Sequence, residues 1–296
     1  MKALALAACL VVATAAGPSP LDVVRGTPFD NAQGQPFDDA QGRQEAPPKF
    51  EPKVGMPGKD VVWIPTPPEL VNRMFDIARL TPDDYVIDLG SGDGRTIIAA
   101  ARRGARGLGV EFNPEMVALS RRLAAEAGVS DRATFVQGDM YEADLSQATV
   151  LALYLLPANL TRLAPKLFAL KPGTRIVANT FGPDDWDPDY REAVEHIACS
   201  DWCEALLWIV PAKVAGTWQM GDGATLAVQQ SFQMLLGTLA SGGRARPISA
   251  ARMRGDEIRF QVDGAEYTGQ VNGDGMQGTV RSGRGDAVWT ASRAAR

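Results

Sequence analysis

From about residue 60 the chain alternates short apolar runs with polar stretches of helical period, and near residue 213 the period changes. Val86-Ile87-Asp88-Leu89 is the first run, a short buried strand that passes straight into the turn Gly90-Ser91-Gly92-Asp93-Gly94-Arg95. Gly107-Leu108-Gly109-Val110 ends at Glu111, with Phe112 beside it. Thr134-Phe135-Val136-Gln137 ends at Gly138-Asp139-Met140. A fourth run passes through Leu153, and a fifth, Arg175-Ile176-Val177-Ala178, ends at Asn179. Leu70, Val71, Met74, Phe75 and Ala78 recur at helical spacing and predict a helix packed on a sheet. Thr66-Pro67-Pro68-Glu69 before it reads as a capping box with Pro at the first helical position. Asn113-Pro114-Glu115 is a second helix start, with Asn as the N-cap. Strands alternating with helices predict an α/β fold.

Beyond 213 the runs alternate with period two, as in Glu257-Ile258-Arg259-Phe260-Gln261-Val262. Asp263-Gly264, Asn272-Gly273 and Asp274-Gly275 supply hairpin turns. These signals predict an all-β meander, closed or nearly closed, of six to eight strands.

The first residues have a different character. Met1-Lys2 precedes an apolar run from Ala3 to Ala16, the charge, core length and small residues of a secretory leader. Leu6-Ala7-Ala8-Cys9 also matches a lipobox, but too few residues precede the cysteine for a normal lipoprotein signal. Export or a cell-envelope (periplasmic) location is the expectation, with an uncleaved anchor or a lipoprotein as alternatives. Pro28-Phe29-Asp30-Asn31-Ala32-Gln33-Gly34 nearly repeats at 36–42, and two such copies cannot bury a core. The expected layout is a leader over 1–17, a disordered tether over 18–59, an α/β domain over 60–212 and a small β-rich domain over 213–296.

The chemistry is read from the turn at 90–95. A dinucleotide site would need a third glycine where Arg95 stands, and no Gly-Lys-Ser/Thr follows for a Walker-type cradle. Asp88 and Asp93 are also poor company for a diphosphate. A cofactor with a cationic end suits them better, and S-adenosylmethionine carries both a sulfonium and an ammonium. Glu111 stands about 20 residues on, the offset of an acid gripping a ribose diol. Asp139 is placed to pair with an adenine amino group while Met140 covers the ring. Three strand ends, each followed by an acid on one side of a sheet, make one combined signal.

On these residues, 60–212 resembles a class I (seven-strand) S-adenosylmethionine-dependent methyltransferase. Asp88, Gly90, Ser91, Gly92, Asp93 and Gly94 match the first motif, Glu111 and Phe112 the ribose element, and Asp139-Met140 the adenine element. Trp63-Ile64-Pro65-Thr66-Pro67 and Leu153-Tyr154-Leu155-Leu156-Pro157 are similar to a small group of protein lysine methyltransferases. That group includes mitochondrial enzymes acting on membrane carriers and an ATP synthase subunit, and it has uncharacterised bacterial relatives. The resemblance implies a Rossmann-like doubly wound sheet whose strands are parallel except the last. It places that final antiparallel pair at 192–198 and 205–210. It also implies a protein or small amine acceptor, a membrane-associated one being open. Tyr154 is the candidate catalytic group, and Trp63, Pro65, Thr66, Leu155 and Pro157 are candidates for the acceptor side. Thr66 is read first as a cap, and Tyr154 stands equally as a core residue. The polar Asn/Asp-Pro-Pro-Tyr motif of many amine-methylating relatives is missing, which argues against a DNA base or glutamine as acceptor.

Composition narrows the classes. A net charge of −5 gives no electrostatic case for a nucleic-acid partner. One histidine, His196, has no neighbour at ligand spacing, so no metal is expected. Cys199 and Cys203 are able to pair if they flank a strand turn in an exported protein. The competing reading is an envelope ligand- or partner-binding protein in which the cofactor fold is vestigial. An outward leader also sits awkwardly with a cofactor made in the cytosol. Oligomeric state is not legible.

Overall fold

The computed structural model describes residues 49–194 and 203–295. The leader, Cys9, the tether up to residue 48, His196 and Cys199 lie outside the described residues. Cys203 is disulfide-bonded.

The α/β part begins with a two-strand hairpin, β1 (Met56–Pro57) and β2 (Val62–Trp63), and helix α1 (Pro68–Ile77). Then come β3 (Tyr85–Leu89), α2 (Arg95–Arg102), β4 (Arg106–Glu111), α3 (Pro114–Glu126) and β5 (Ala133–Gln137). They are followed by β6 (Val150–Leu153), α4 (Pro157–Phe168), β7 (Arg175–Asn179), β8 (Tyr190–Ala193) and β9 (Glu204–Ile209). The sheet order is β5-β4-β3-β6-β7-β9-β8, parallel from β5 to β7, with β9 antiparallel to both β7 and β8. This is the Rossmann-like doubly wound arrangement. The chain order reverses direction beside β3, so the carboxyl ends of β3, β4 and β5 border the crevice where such sheets bind ligands.

Sequence explains the central strand well. Val86, Ile87 and Leu89 are buried, as a parallel strand covered by helices on both faces requires. Helix α1 buries Leu70, Val71, Met74 and Phe75, the predicted face. In α3, Asn113 accepts a hydrogen bond from the Glu115 N–H at 2.9 Å and Pro114 opens the helix, as expected.

Three expectations are corrected. Thr66 is not the cap of α1. Pro67 holds that place, no side chain caps the end, and two prolines lacking N–H groups leave fewer donors to satisfy. The tether does not run to residue 59, because Met56 pairs with Trp63 and Pro57 with Val62. Strands of two residues carry no periodicity, so the Pro- and Gly-rich composition masked them. The strand expected at 192–198 lies at Tyr190–Ala193, where Arg191 pairs with Leu206, and 195–198 fall outside the described residues.

The remaining strands are β10 (Gly216–Met220), β11 (Thr225–Ser231), β12 (Met234–Ser241), β13 (Arg244–Pro247), β14 (Ser249–Arg254), β15 (Glu257–Val262), β16 (Ala265–Asn272), β17 (Gly275–Ser282) and β18 (Gly285–Arg293). Each is antiparallel to its neighbours. The β10–β18 and β11–β12 pairs close the meander into an eight-membered ring in which β13 and β14 are one interrupted strand. Closure removes the open edges that an eight-strand meander would otherwise expose. Inward residues such as Trp218, Leu226, Met253, Ile258 and Phe260 fill the interior.

The barrel is fastened to the α/β part through the turn between β11 and β12. Phe232 stacks on Trp186 at 5.0 Å and meets Phe168 edge-on at 5.3 Å. Gln233 donates to the Asp187 carbonyl at 2.7 Å, and Arg252 pairs with Asp189 at 2.6 Å. Replacing Phe232 with Ala should cost about 2 kcal/mol, below the full-burial figure because the ring is only partly covered. Urea unfolding reads this against Val288→Ala on the open barrel face, where a change within about 0.5 kcal/mol is expected.

Candidate functional site: a carboxylate-lined cavity at the strand ends

The turn after β3 is clamped to the neighbouring strand. Gly90 and Ser91 both donate to the Val110 carbonyl, at 2.8 and 3.1 Å, and Gly138 donates to the Glu111 carbonyl at 2.9 Å. Gly92 requires glycine twice over. Its φ is +54°, and a Cβ there would lie 2.5 Å from the Trp63 indole nitrogen. Trp63 therefore rests directly on the glycine-rich turn.

Glu111 organises the rim. One oxygen accepts the Gly92 N–H and the other accepts the Asn113 N–H, both at 2.9 Å. A single carboxylate thus joins the β3–α2 turn to the start of α3. Asp139 accepts the Tyr141 N–H at 2.8 Å with one oxygen and the Lys59 ammonium at 2.5 Å with the other. Asp93 faces Arg95 at 2.7 Å, and Arg95 reaches on to the Thr66 carbonyl at 3.1 Å. Asp88 has no cation beside it among the described residues. Burial, with Glu111 and Asp93 close by, pushes its carboxyl up to about 7 even though the Thr96 hydroxyl bonds to it.

These groups open into one cavity. It is lined by Asp88, Gly90, Ser91, Gly92, Asp93, Glu111, Phe112, Asp139 and Met140 on the strand-end side. Trp63, Pro65, Thr66, Tyr154 and Leu155 line the same cavity beside them. Of the candidates, Gly94 and Pro157 are not among the lining residues. Gly94, at φ +81°, caps α2 in the left-handed conformation, and a Cβ on it would strike Phe135 and Ser120 at 2.6 Å. Pro157 is the first residue of α4, placed there because its missing N–H costs a helix start nothing. Asn179 is fully buried at the end of β7, accepts from the Thr180 hydroxyl, and stays off the cavity wall. Sequence reading missed Lys59, Thr96 and Met116, all on the wall. Thr96 and Met116 sit within the first turn of α2 and α3, a place that the helix starts pointed to; Lys59 gave no signal.

The donor set fits a cationic nucleoside. Five carboxylates, Asp60, Asp88, Asp93, Glu111 and Asp139, line the cavity, while the buried Ser91 hydroxyl has no hydrogen-bond partner among the described residues. Met116, Met140 and Val110 give apolar cover.

A family model described as "ANTKMT methyltransferase domain" matches residues 88–190. A protein-lysine N-methyltransferase of Saccharolobus islandicus is 43% identical over 131 residues, covering 43% of this chain and 81% of that protein. The chain belongs to the class I S-adenosylmethionine-dependent protein lysine methyltransferase group. A lysine N-methyltransferase of Mus musculus named for the adenine nucleotide translocase is 37% identical over 120 residues, covering 40% of this chain and 52% of that relative, so the match spans about half its length. A crystal structure described as an RNA methyltransferase from Salinibacter ruber in complex with S-adenosyl-L-homocysteine is 43% identical, covers 51% of this chain and 96% of that one, and superposes with a TM-score of 0.48. The chain is a methyltransferase and S-adenosylmethionine is its cofactor. The vestigial-fold alternative gains no support from an intact rim or from these relatives.

The raised Asp88 carboxyl predicts a pH dependence. Its folded value lies above the ordinary 3.8, so its contribution to stability is largest at low pH and declines as pH rises from there through about 7. The anionic form, which an ammonium ligand prefers, dominates only above about 7. Affinity for S-adenosylhomocysteine, read by calorimetry, should therefore rise up to roughly tenfold from pH 6 to pH 8. Asp88→Asn should flatten that profile and weaken binding.

Proposed function

We propose that this enzyme methylates the ε-amine of a protein lysine, with Asp88, Glu111 and Asp139 holding the cofactor and Tyr154 orienting the amine. The observation that carries the reading is that one cavity joins the acidic strand ends to the wall made by Trp63, Thr66 and Tyr154. Support also comes from the names of the relatives, a protein-lysine N-methyltransferase and an adenine nucleotide translocase lysine N-methyltransferase.

S-adenosylmethionine, when bound, supplies an electrophilic methyl group on a sulfonium whose departure as a neutral thioether needs no acid. The protein's share is alignment and desolvation. A lysine must first lose a proton to solvent, and an apolar wall favours that loss by disfavouring the ammonium. Burial pushes the Tyr154 phenol up, so it stays protonated at neutral pH and is not the base. Its oxygen, which makes no hydrogen bond within the described residues, is suited to accept an N–H and aim the lone pair. Trp63 closes the turn side of the cavity against water.

The rim also favours an acceptor with apolar flanks. Val62 and Ile64 line the cavity yet are 51% and 46% exposed, and Leu156 beside Leu155 is 49% exposed. A membrane-embedded or amphipathic segment carrying a lysine suits that collar. No described helix is long and apolar enough to cross a membrane.

Incubation with isotope-labelled S-adenosylmethionine and either lysine peptides flanked by apolar residues or total RNA tests the reading. Label on the lysine, located by peptide mass spectrometry, is expected. Label on RNA alone overturns it. Tyr154→Phe should lower kcat about tenfold, the loss of one hydrogen bond of roughly 1 kcal/mol, and leave S-adenosylhomocysteine affinity unchanged.

A further inference from the structure

Lys59 stands at the tip of the β1–β2 hairpin, where Gly58 donates to the Val61 carbonyl at 3.0 Å and closes the turn. Its ammonium makes two contacts. It pairs with Asp139 at 2.5 Å and lies 4.9 Å from the centroid of the Phe112 ring. Both partners are residues assigned above to the nucleoside. Asp139's other oxygen already holds the Tyr141 N–H, so a second donor would compete with Lys59 for the same atom. The cavity is also tight, with about 110 Å3 open, against roughly 300–1,000 Å3 for small-molecule sites. The hairpin supplies much of its wall, from Met56 to Trp63.

We propose that Lys59 is a displaceable latch that competes with the nucleoside for Asp139 and the face of Phe112, so that cofactor binding releases the hairpin and resets Trp63 on the acceptor side. This rests on the cofactor assignment under Proposed function. Lys59 is a positioning residue, because it acts through the hairpin that carries Trp63. An exposed ion pair and a surface cation–π contact are each weak, which makes the latch readily opened. Asp93 is engaged by Arg95 outside this contact, and neither Asp88 nor Glu111 has a paired cation among the described residues, so the latch acts at the Asp139 end alone.

Two measurements on the full chain test the proposal. Calorimetry compares S-adenosylhomocysteine binding to wild type, Lys59→Met and Lys59→Arg. Methionine keeps the reach and removes the cation, so binding three- to tenfold tighter is expected, with arginine restoring the wild-type value. Reductive methylation of surface amines, followed by peptide mass spectrometry, reports the freedom of Lys59 in the unaltered chain. Labelling of Lys59 should accelerate severalfold when S-adenosylhomocysteine is added. Equal or weaker binding by Lys59→Met, or protection of Lys59 by the ligand, overturns the latch. Wild type that fails to bind S-adenosylhomocysteine at all overturns the cofactor assignment instead.

Discussion

The Glu111 carboxylate is the constraint on which the site depends. With one oxygen on the Gly92 N–H and the other on the Asn113 N–H, it ties two helix-opening turns to one strand end. Two charge-assisted bonds to backbone hold the glycine-rich turn where its neighbours can reach it. Trp63 rests against Gly92 on one side, and Asp88 is held at the end of β3 on the other. A carboxylate used in this way has a structural duty beside any ligand it grips, and its loss would loosen the rim as a whole.

The electrostatics follow from that geometry. Five acids line one cavity, and the protein answers the four on the strand-end side differently. Arg95 faces Asp93, Lys59 faces Asp139, backbone N–H groups satisfy Glu111, and Asp88 takes a proton more readily than usual. Asp88 is buried with no paired cation among the described residues. Such unequal treatment of neighbouring carboxylates marks a site built for a ligand rather than a surface built for solubility.

The barrel bears on the site only indirectly among the described contacts. It docks through Phe232 and Gln233 on the segment between β7 and β8, away from the cavity wall. Its interior is filled with side chains such as Trp218 and Phe260, as an eight-strand ring of this size allows.

Much of the fold was legible because it rests on local rules. The buried run before Gly90, the Asn113-Pro114 helix start and the Asp-Gly and Asn-Gly hairpins each declare themselves within a few residues, and the acids at 88, 111 and 139 stand at or just beyond the ends of short apolar runs. Other features needed distant chain segments to meet. The Met56–Trp63 pairing, the Arg95 reach to Thr66, the exclusion of Gly94 and Pro157 from the wall, and Lys59 on Asp139 are contacts set by tertiary packing. The amino-acid sequence by itself therefore determined the sheet, its turns and the acidic rim. Only the folded chain decided which side chains face the cavity and which charges neutralise one another, because those depend on direction and distance rather than on spacing.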